Sequence, residues 1–190
     1  MTSSRLYLNG GALTFGDVTS QAGVETTTWC TGVATVDING DGWMDIYVST
    51  IHPQIDKKTP NLFFINQGPD DKGVPHFLEL ALAMGVADSS YSTQATFLDF
   101  DLDGDLDMYL LTNSLENYTR NAPIGQRRDG TGRSVDKLYR QDRMTDGSIT
   151  FKDVSTPAGI LAEGWGLGVV ASDFNEDGWA DVYCAKDFLS

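Results

Sequence analysis

A nine-residue acidic pattern, Asp-x-Asp/Asn-x-Asp-Gly-x-x-Asp, occurs three times in the chain, at 37–45, 99–107 and 173–181. The middle copy gathers five carboxylates, Asp99, Asp101, Asp103, Asp105 and Asp107, around a single glycine, Gly104. Two unit charges about 4 Å apart repel by about 4 kcal/mol at an effective dielectric of about 20, so this stretch cannot close into a tight turn on its own charges. A cation is implied. Residues 99, 101 and 103 alternate along the chain and converge only if the backbone wraps around a centre, and Gly104 permits the tight turn that a Cβ would resist. Hard oxygen donors on a flexible loop select calcium, whereas magnesium takes fewer protein ligands and retains more water.

An EF-hand loop closes with a bidentate glutamate at position 12 and is flanked by helices. Position 12 here is Val48, Leu110 or Cys184, and the closing acid is at position 9 instead. The runs that follow, Ile46-Tyr47-Val48, Met108-Tyr109-Leu110 and Val182-Tyr183-Cys184, are short and rich in aromatic and large apolar residues, which reads as strand. The loops are therefore expected between strands. Positions 1, 3, 5 and 9 supply side-chain oxygens: Asp37, Asn39, Asp41 and Asp45; Asp99, Asp101, Asp103 and Asp107; Asp173, Asn175, Asp177 and Asp181. Position 7, occupied by Trp43, Asp105 and Trp179, offers its main-chain carbonyl. Up to three calcium ions are expected.

The repeat extends beyond the loops. Phe15-Gly16-Asp17-Val18, Phe77-Leu78-Glu79-Leu80 and Phe151-Lys152-Asp153-Val154 each lead to an Ala/Met-Gly-Val/Ile segment, and each phenylalanine precedes its first loop aspartate by 22 residues. Before these come Leu6-Tyr7-Leu8-Asn9, Phe63-Phe64-Ile65-Asn66 and Leu138-Tyr139-Arg140-Gln141, further short strands. Each repeat thus contains four strands: one into the loop (31–36, 93–98, 167–172), one out of it (45–49, 107–112, 181–185), then the Leu-Tyr and Phe-x-Asp-Val elements. Four-stranded antiparallel units repeated at spacings of 62 and 74 residues suggest an all-β fold of β-propeller blades, each burying its faces on its neighbours. Small residues in the first strand, such as Gly32, Ala34, Ala95 and Gly168, suit crowding at a central axis. The expected division is a single repeat region over 1–190: the last two strands of a blade (1–24), a blade (25–86), a blade with an insertion at 113–136 (87–160), and the first two strands of another (161–190). This phase predicts either a section of a longer propeller or a protomer whose ring closes on copies of itself.

The net charge of −14 makes nucleic acid an unsuitable partner, and three divalent ions would offset six of those charges. No apolar stretch approaches the roughly 20 residues of a membrane span, and Met1-Thr2-Ser3-Ser4-Arg5 opens no signal peptide. Either a leader was removed or the sequence is a piece of something longer. Cys30 and Cys184 are too few for a disulfide framework and are expected as buried thiols, with a single bridge as the alternative. Trp29, Tyr91 and Trp165, each eight residues before a loop, are expected to pack between blades rather than to form a sugar platform. Seven of the 13 basic residues fall between Arg120 and Arg143, in a stretch expected to be a solvated loop, with docking of an anionic glycan or protein as the alternative. His52 and His76 show no spacing for a metal or catalytic pair.

Taken together, the acidic loop, the Leu-Tyr-x-Asn strand and the Phe-x-Asp-Val-Thr/Ser-x-x-Ala-Gly-Val segment resemble the FG-GAP, or VCBS, repeat family. The resemblance implies calcium-binding β-propellers of secreted or cell-surface proteins, similar to the integrin α-subunit head and to long bacterial secreted proteins. It implies a role in extracellular adhesion or in binding a protein or glycan, with the ligands at positions 1, 3, 5 and 9 of each loop. An alternative is the propeller section of a secreted polysaccharide-active enzyme. Against it, the clustered acids are committed as ligands, and no serine elbow, Cys/His pair or phosphate loop is present, so no enzyme is expected.

Overall fold

The computed structural model describes residues 4–54, 57–113, 127–132 and 134–187. The elements run β1 (Tyr7–Gly11), β2 (Thr14–Asp17), α1 (Thr19–Ala22), β3 (Trp29–Val36), β4 (Asp45–Ile51), β5 (Leu62–Pro69), β6 (Pro75–Glu79), α2 (Ala81–Met84), β7 (Ser92–Leu98), β8 (Asp107–Thr112), β9 (Lys137–Arg143), β10 (Ile149–Asp153), β11 (Trp165–Ser172) and β12 (Asp181–Asp187). They form two complete antiparallel sheets, β3-β4-β5-β6 and β7-β8-β9-β10, and two hairpins, β1-β2 and β11-β12. The all-β, four-stranded architecture read from the repeat is thus the one observed, and the described residues form no closed barrel. Of the 113–136 insertion, residues 114–126 and 133 lie outside the described residues. The basic stretch is not the single solvated loop expected: Arg127 and Arg128 are exposed outside any strand, whereas Lys137, Arg140 and Arg143 stand on β9, with Lys137 paired to Asp153 and Arg140 to Asp142.

The sheets stack face to face in chain order, with three apolar layers between them. Val18, Ala22 and Val24 meet Val48 and Phe64 in the first layer. Tyr47, Phe63 and Ile65 meet Ala95, Met108 and Leu110 in the second, where the Tyr47 ring stands edge-on to Phe63 at 5.4 Å and to Phe97 at 6.3 Å. Tyr109 and Leu138 meet Val169, Val182 and Cys184 in the third. Alternation explains this: along β4, Tyr47 faces the following sheet and Val48 the preceding one. The loop-entering strands β3, β7 and β11 lie side by side, close enough that a Cβ on Gly32 would overlap the Thr93 carbonyl of β7, while one on Gly166 of β11 would overlap Leu111 and the Thr112 carbonyl of β8. Small residues in these strands are therefore a packing requirement.

The first two of the Phe-x-Asp-Val segments end in a single helical turn, and the third ends in a hydrogen-bonded turn. Asp17 Oδ1 accepts the Thr19 amide, Glu79 Oε1 the Ala81 amide and Asp153 Oδ1 the Ser155 amide. Gly23 and Gly85 then stop α1 and α2 in the left-handed region, at φ 76° and 80°, where a Cβ would also press on the carbonyls of Phe77 and Phe151 in the next sheet. One glycine thus both ends the turn and sets the spacing between sheets.

Two expectations are corrected. Cys30 is an exposed thiol and Cys184 a half-buried one, both free, and Trp29 is 54% exposed. Cys30 and Trp29 sit on β3, whose face toward β1-β2 is only partly covered.

Candidate metal centre

All three loops have the same internal wiring. Position 1 gathers backbone amides: Asp37 accepts from Gly40, Asp41 and Gly42 at 2.9–3.1 Å, Asp99 from Asp103 and Gly104 at 3.2 and 3.1 Å, and Asp173 from Asp177 and Gly178 at 3.2 and 2.8 Å. The amides on Asp173, Gly178 foremost, hold its carboxyl below the usual range. Position 5 accepts the amide of position 7, as in Trp43 to Asp41, Asp105 to Asp103 and Trp179 to Asp177. Position 6 is left-handed, with Gly42, Gly104 and Gly178 at φ 88°, 93° and 91°. So is position 4, where Gly40, Leu102 and Glu176 stand at φ 74°, 60° and 62°. A left-handed leucine is uncommon, and the loop fold imposes it twice on residues that do not favour it.

Position 9 is buried in the first two loops and half-buried in the third, and it ties the loop to the sheet. Asp45 Oδ2 accepts the Ile38 amide and Oδ1 the Asn66 amide of β5, at 3.0 and 2.8 Å. Asp107 repeats this with Phe100 at 3.1 Å and Gln141 of β9 at 2.8 Å. Asp181 accepts the Phe174 amide at 3.0 Å and has no third-strand amide on its other oxygen among the described residues. Burial pushes the Asp45 carboxyl up and raises Asp107 to about 6.

In the second loop, Asp99, Asp101 and Asp107 each bring one carboxylate oxygen to within 4.8 Å of the others. Asp101 Oδ1 is buried there without a hydrogen-bond partner, and the side-chain amide of Gln141 faces Asp105. Burial, then the Asp103 charge, raises the Asp105 carboxyl. An orphaned buried oxygen among like charges is costly, and a divalent cation would satisfy it. Asp103 stands outside this trio. In the first and third loops position 3 is an amide, and Asn39 Nδ2 and Asn175 Nδ2 donate to Asp41 and Asp177 at 2.8 and 2.9 Å. Trp43 and Trp179 remain half exposed, Trp43 lying over Gly68 of β5.

Sequence reasoning missed the pair Asn61 and Asp136, which precede β5 and β9. Asn61 takes the Thr50 amide and donates to Tyr47 and Ser92, and Asp136 takes the Thr112 amide and the Tyr109 hydroxyl. Lys186 Nζ meets Asp136 at 2.6 Å. An Asn in one repeat and an Asp in the next, each one residue before the Leu-Tyr strand, was the available signal. Among the described residues no helix is long and apolar enough to cross a membrane. No curated protein matches the chain. The family model of FG-GAP-like repeats matches residues 2–48, the span from β1 through the first acidic loop into β4, so this part of the chain is similar to an FG-GAP-like repeat.

Proposed function

We propose that the chain is a calcium-stabilised propeller module of an extracellular or periplasmic protein, presenting its loops to a protein or glycan partner. The observation that carries this reading is the convergence of Asp99, Asp101 and Asp107, together with the buried Asp101 Oδ1 that has no hydrogen-bond partner. Asp99, Asp101, Asp103 and Asp107 would hold one ion, with the Asp105 carbonyl. Asp37, Asn39, Asp41 and Asp45 with the Trp43 carbonyl, and Asp173, Asn175, Asp177 and Asp181 with the Trp179 carbonyl, would hold two more. The ion supplies charge neutralisation and cross-links the two strands of each hairpin. On this reading the loop carboxylates act as ligands and not as acid–base groups.

Extracellular calcium modules work at dissociation constants of roughly 10⁻⁴ to 10⁻³ M, which fills them outside cells and empties them in cytosol. Binding to the folded state alone stabilises by about 1.4 kcal/mol per site at tenfold saturation. Chelation is therefore expected to lower the melting temperature and calcium to restore it, with Asp101→Ala losing part of the restoration. A melting temperature that ignores both chelator and calcium overturns the reading.

A further inference from the structure

The first two acidic loops belong to the two complete sheets, share one wiring and differ in their surroundings. At position 3 the first has Asn39 and the second Asp101, and at position 7 the first has Trp43 and the second Asp105. The third-strand residue whose backbone amide binds position 9 is Asn66 in one sheet and Gln141 in the other. These differences act together.

In the first loop the side chains at these places are occupied elsewhere or carry no charge. Trp43 is 46% exposed and lies over Gly68 of β5. Asn66 uses its amide on the backbone, Nδ2 donating to the Met44 carbonyl at 3.1 Å and Oδ1 accepting the Gly68 amide at 3.0 Å. Asn39 Nδ2 donates to Asp41. The loop holds three carboxylates, Asp37, Asp41 and Asp45.

The second loop is built differently. Gln141 is one methylene longer than Asn66 and is 1% exposed. Both polar atoms of its amide are buried and bond nothing in the sheet, and the amide faces Asp105. Asp105 Oδ1 is buried accordingly, beside the buried Asp101 Oδ1 that has no hydrogen-bond partner. Five carboxylates thus stand where the first loop has three. Calcium affinity is tuned by the charge of the ligand set and the rigidity of the site, and both are greater here.

We propose that Asp105, positioned by Gln141, makes the second loop a tight calcium site, filled at calcium concentrations that leave the first loop empty. The proposal rests on the calcium reading of the loops given above. Asp105 acts through its side chain, as a negative charge added beside the ligands Asp101 and Asp107, and Gln141 is a positioning residue that fixes it there. Strand β7, which enters this loop, packs on β3 at one side and on β11 at the other, so the retained ion belongs to the sheet that joins its two neighbours. The third loop repeats the first at positions 3 and 7, with Asn175 and Trp179, and belongs with it in the weaker class.

Calcium titration of the 190-residue chain against a competing chromophoric chelator is expected to resolve one ion held about tenfold tighter than the rest. That phase should vanish when Asp99, Asp101 and Asp107 are replaced together by asparagine, with the weaker ions still bound. Asp105→Asn should weaken it about tenfold and leave the weaker phase alone, and Gln141→Met, of similar length, should weaken it in part. The double variant should bind no more weakly than Asp105→Asn, because Gln141 acts only through Asp105. An additive loss would make Gln141 merely structural and overturn its role. Equal affinities for all ions, a tight phase that survives the triple substitution, or one unchanged by Asp105→Asn would each overturn the proposal and leave the calcium reading standing. No binding at any calcium concentration would overturn both.

Discussion

Replacing Asn61 with aspartate tests how neighbouring sheets are tied together. Asn61 is 1% exposed. Its Oδ1 accepts the Thr50 amide at 2.8 Å, and its Nδ2 donates to Tyr47 Oη at 3.0 Å and Ser92 Oγ at 2.8 Å. Its side-chain partners are all neutral. Asp136, at the same place in the following sheet, is met by the Lys186 ammonium at 2.6 Å. Asn61→Asp therefore turns a donor into a second acceptor and buries a charge with no cation, a defect worth about 3–5 kcal/mol. At about 2–4 °C per kcal/mol for a chain of this size, the melting temperature should fall by about 10 °C at neutral pH. Asn61→Ala, which strands the Thr50 amide, costs about 1–3 kcal/mol and should fall by about half as much.

The pH dependence separates charge from shape. Burial raises the introduced carboxyl's folded pKa above its unfolded value of about 3.9. The penalty is absent below that value, where both states are protonated, and complete once pH has risen through the folded pKa. Scanning calorimetry of variant and parent should thus converge toward pH 4 and diverge at pH 7.5. An Asn61→Asp protein that melts within 2 °C of the parent at neutral pH would refute the hydrogen-bond reasoning.

Two further outcomes follow from the same geometry. Gly32→Ala should destabilise by more than the 1–3 kcal/mol usual for overpacking, because the obstacle is the Thr93 backbone carbonyl, and urea midpoints will read it. In calcium-free buffer, the stability tied to Asp107 is present below its unfolded pKa and is lost as pH rises through about 6. Melting curves should show that loss in the parent and not in Asp107→Asn, and calcium should abolish it.

Much of the fold was legible because the repeat spells it three times. The invariant 22-residue spacing from Phe15, Phe77 and Phe151 to the loops reflects a segment in which every residue is used: an acid caps the turn, a glycine ends it against the next sheet, and a strand enters the loop. Other features left no trace in residue type. A bulge sits at the same place in all three loop-entering pairs, between Cys30 and Gly32, Ser92 and Gln94, and Gly166 and Gly168. Thr31 there bonds the carbonyls of Ser49 and Ser92, whereas its counterpart Leu167 has no hydroxyl to do so. Leu102 and Glu176 conceal a left-handed backbone that only Gly40 advertises. Cys30 and Trp29 misled for a different reason: their apolar surroundings in sequence predict burial, but burial depends on a neighbouring sheet, and local pattern does not report which sheet faces have one. Within the loops, the aspartate spacing located the carboxylates, while which of their oxygens bind backbone amides depended on the turn's three-dimensional path.

The acidic turns as calcium sites are the centre of the account, and the number of ions bound per folded chain tests this most directly. Calorimetric titration of the chelator-treated, dialysed protein should give three calcium ions per chain, falling to two when Asp99, Asp101 and Asp107 are replaced together by asparagine. Failure to bind at millimolar calcium, or three ions still bound by that triple variant, would contradict it.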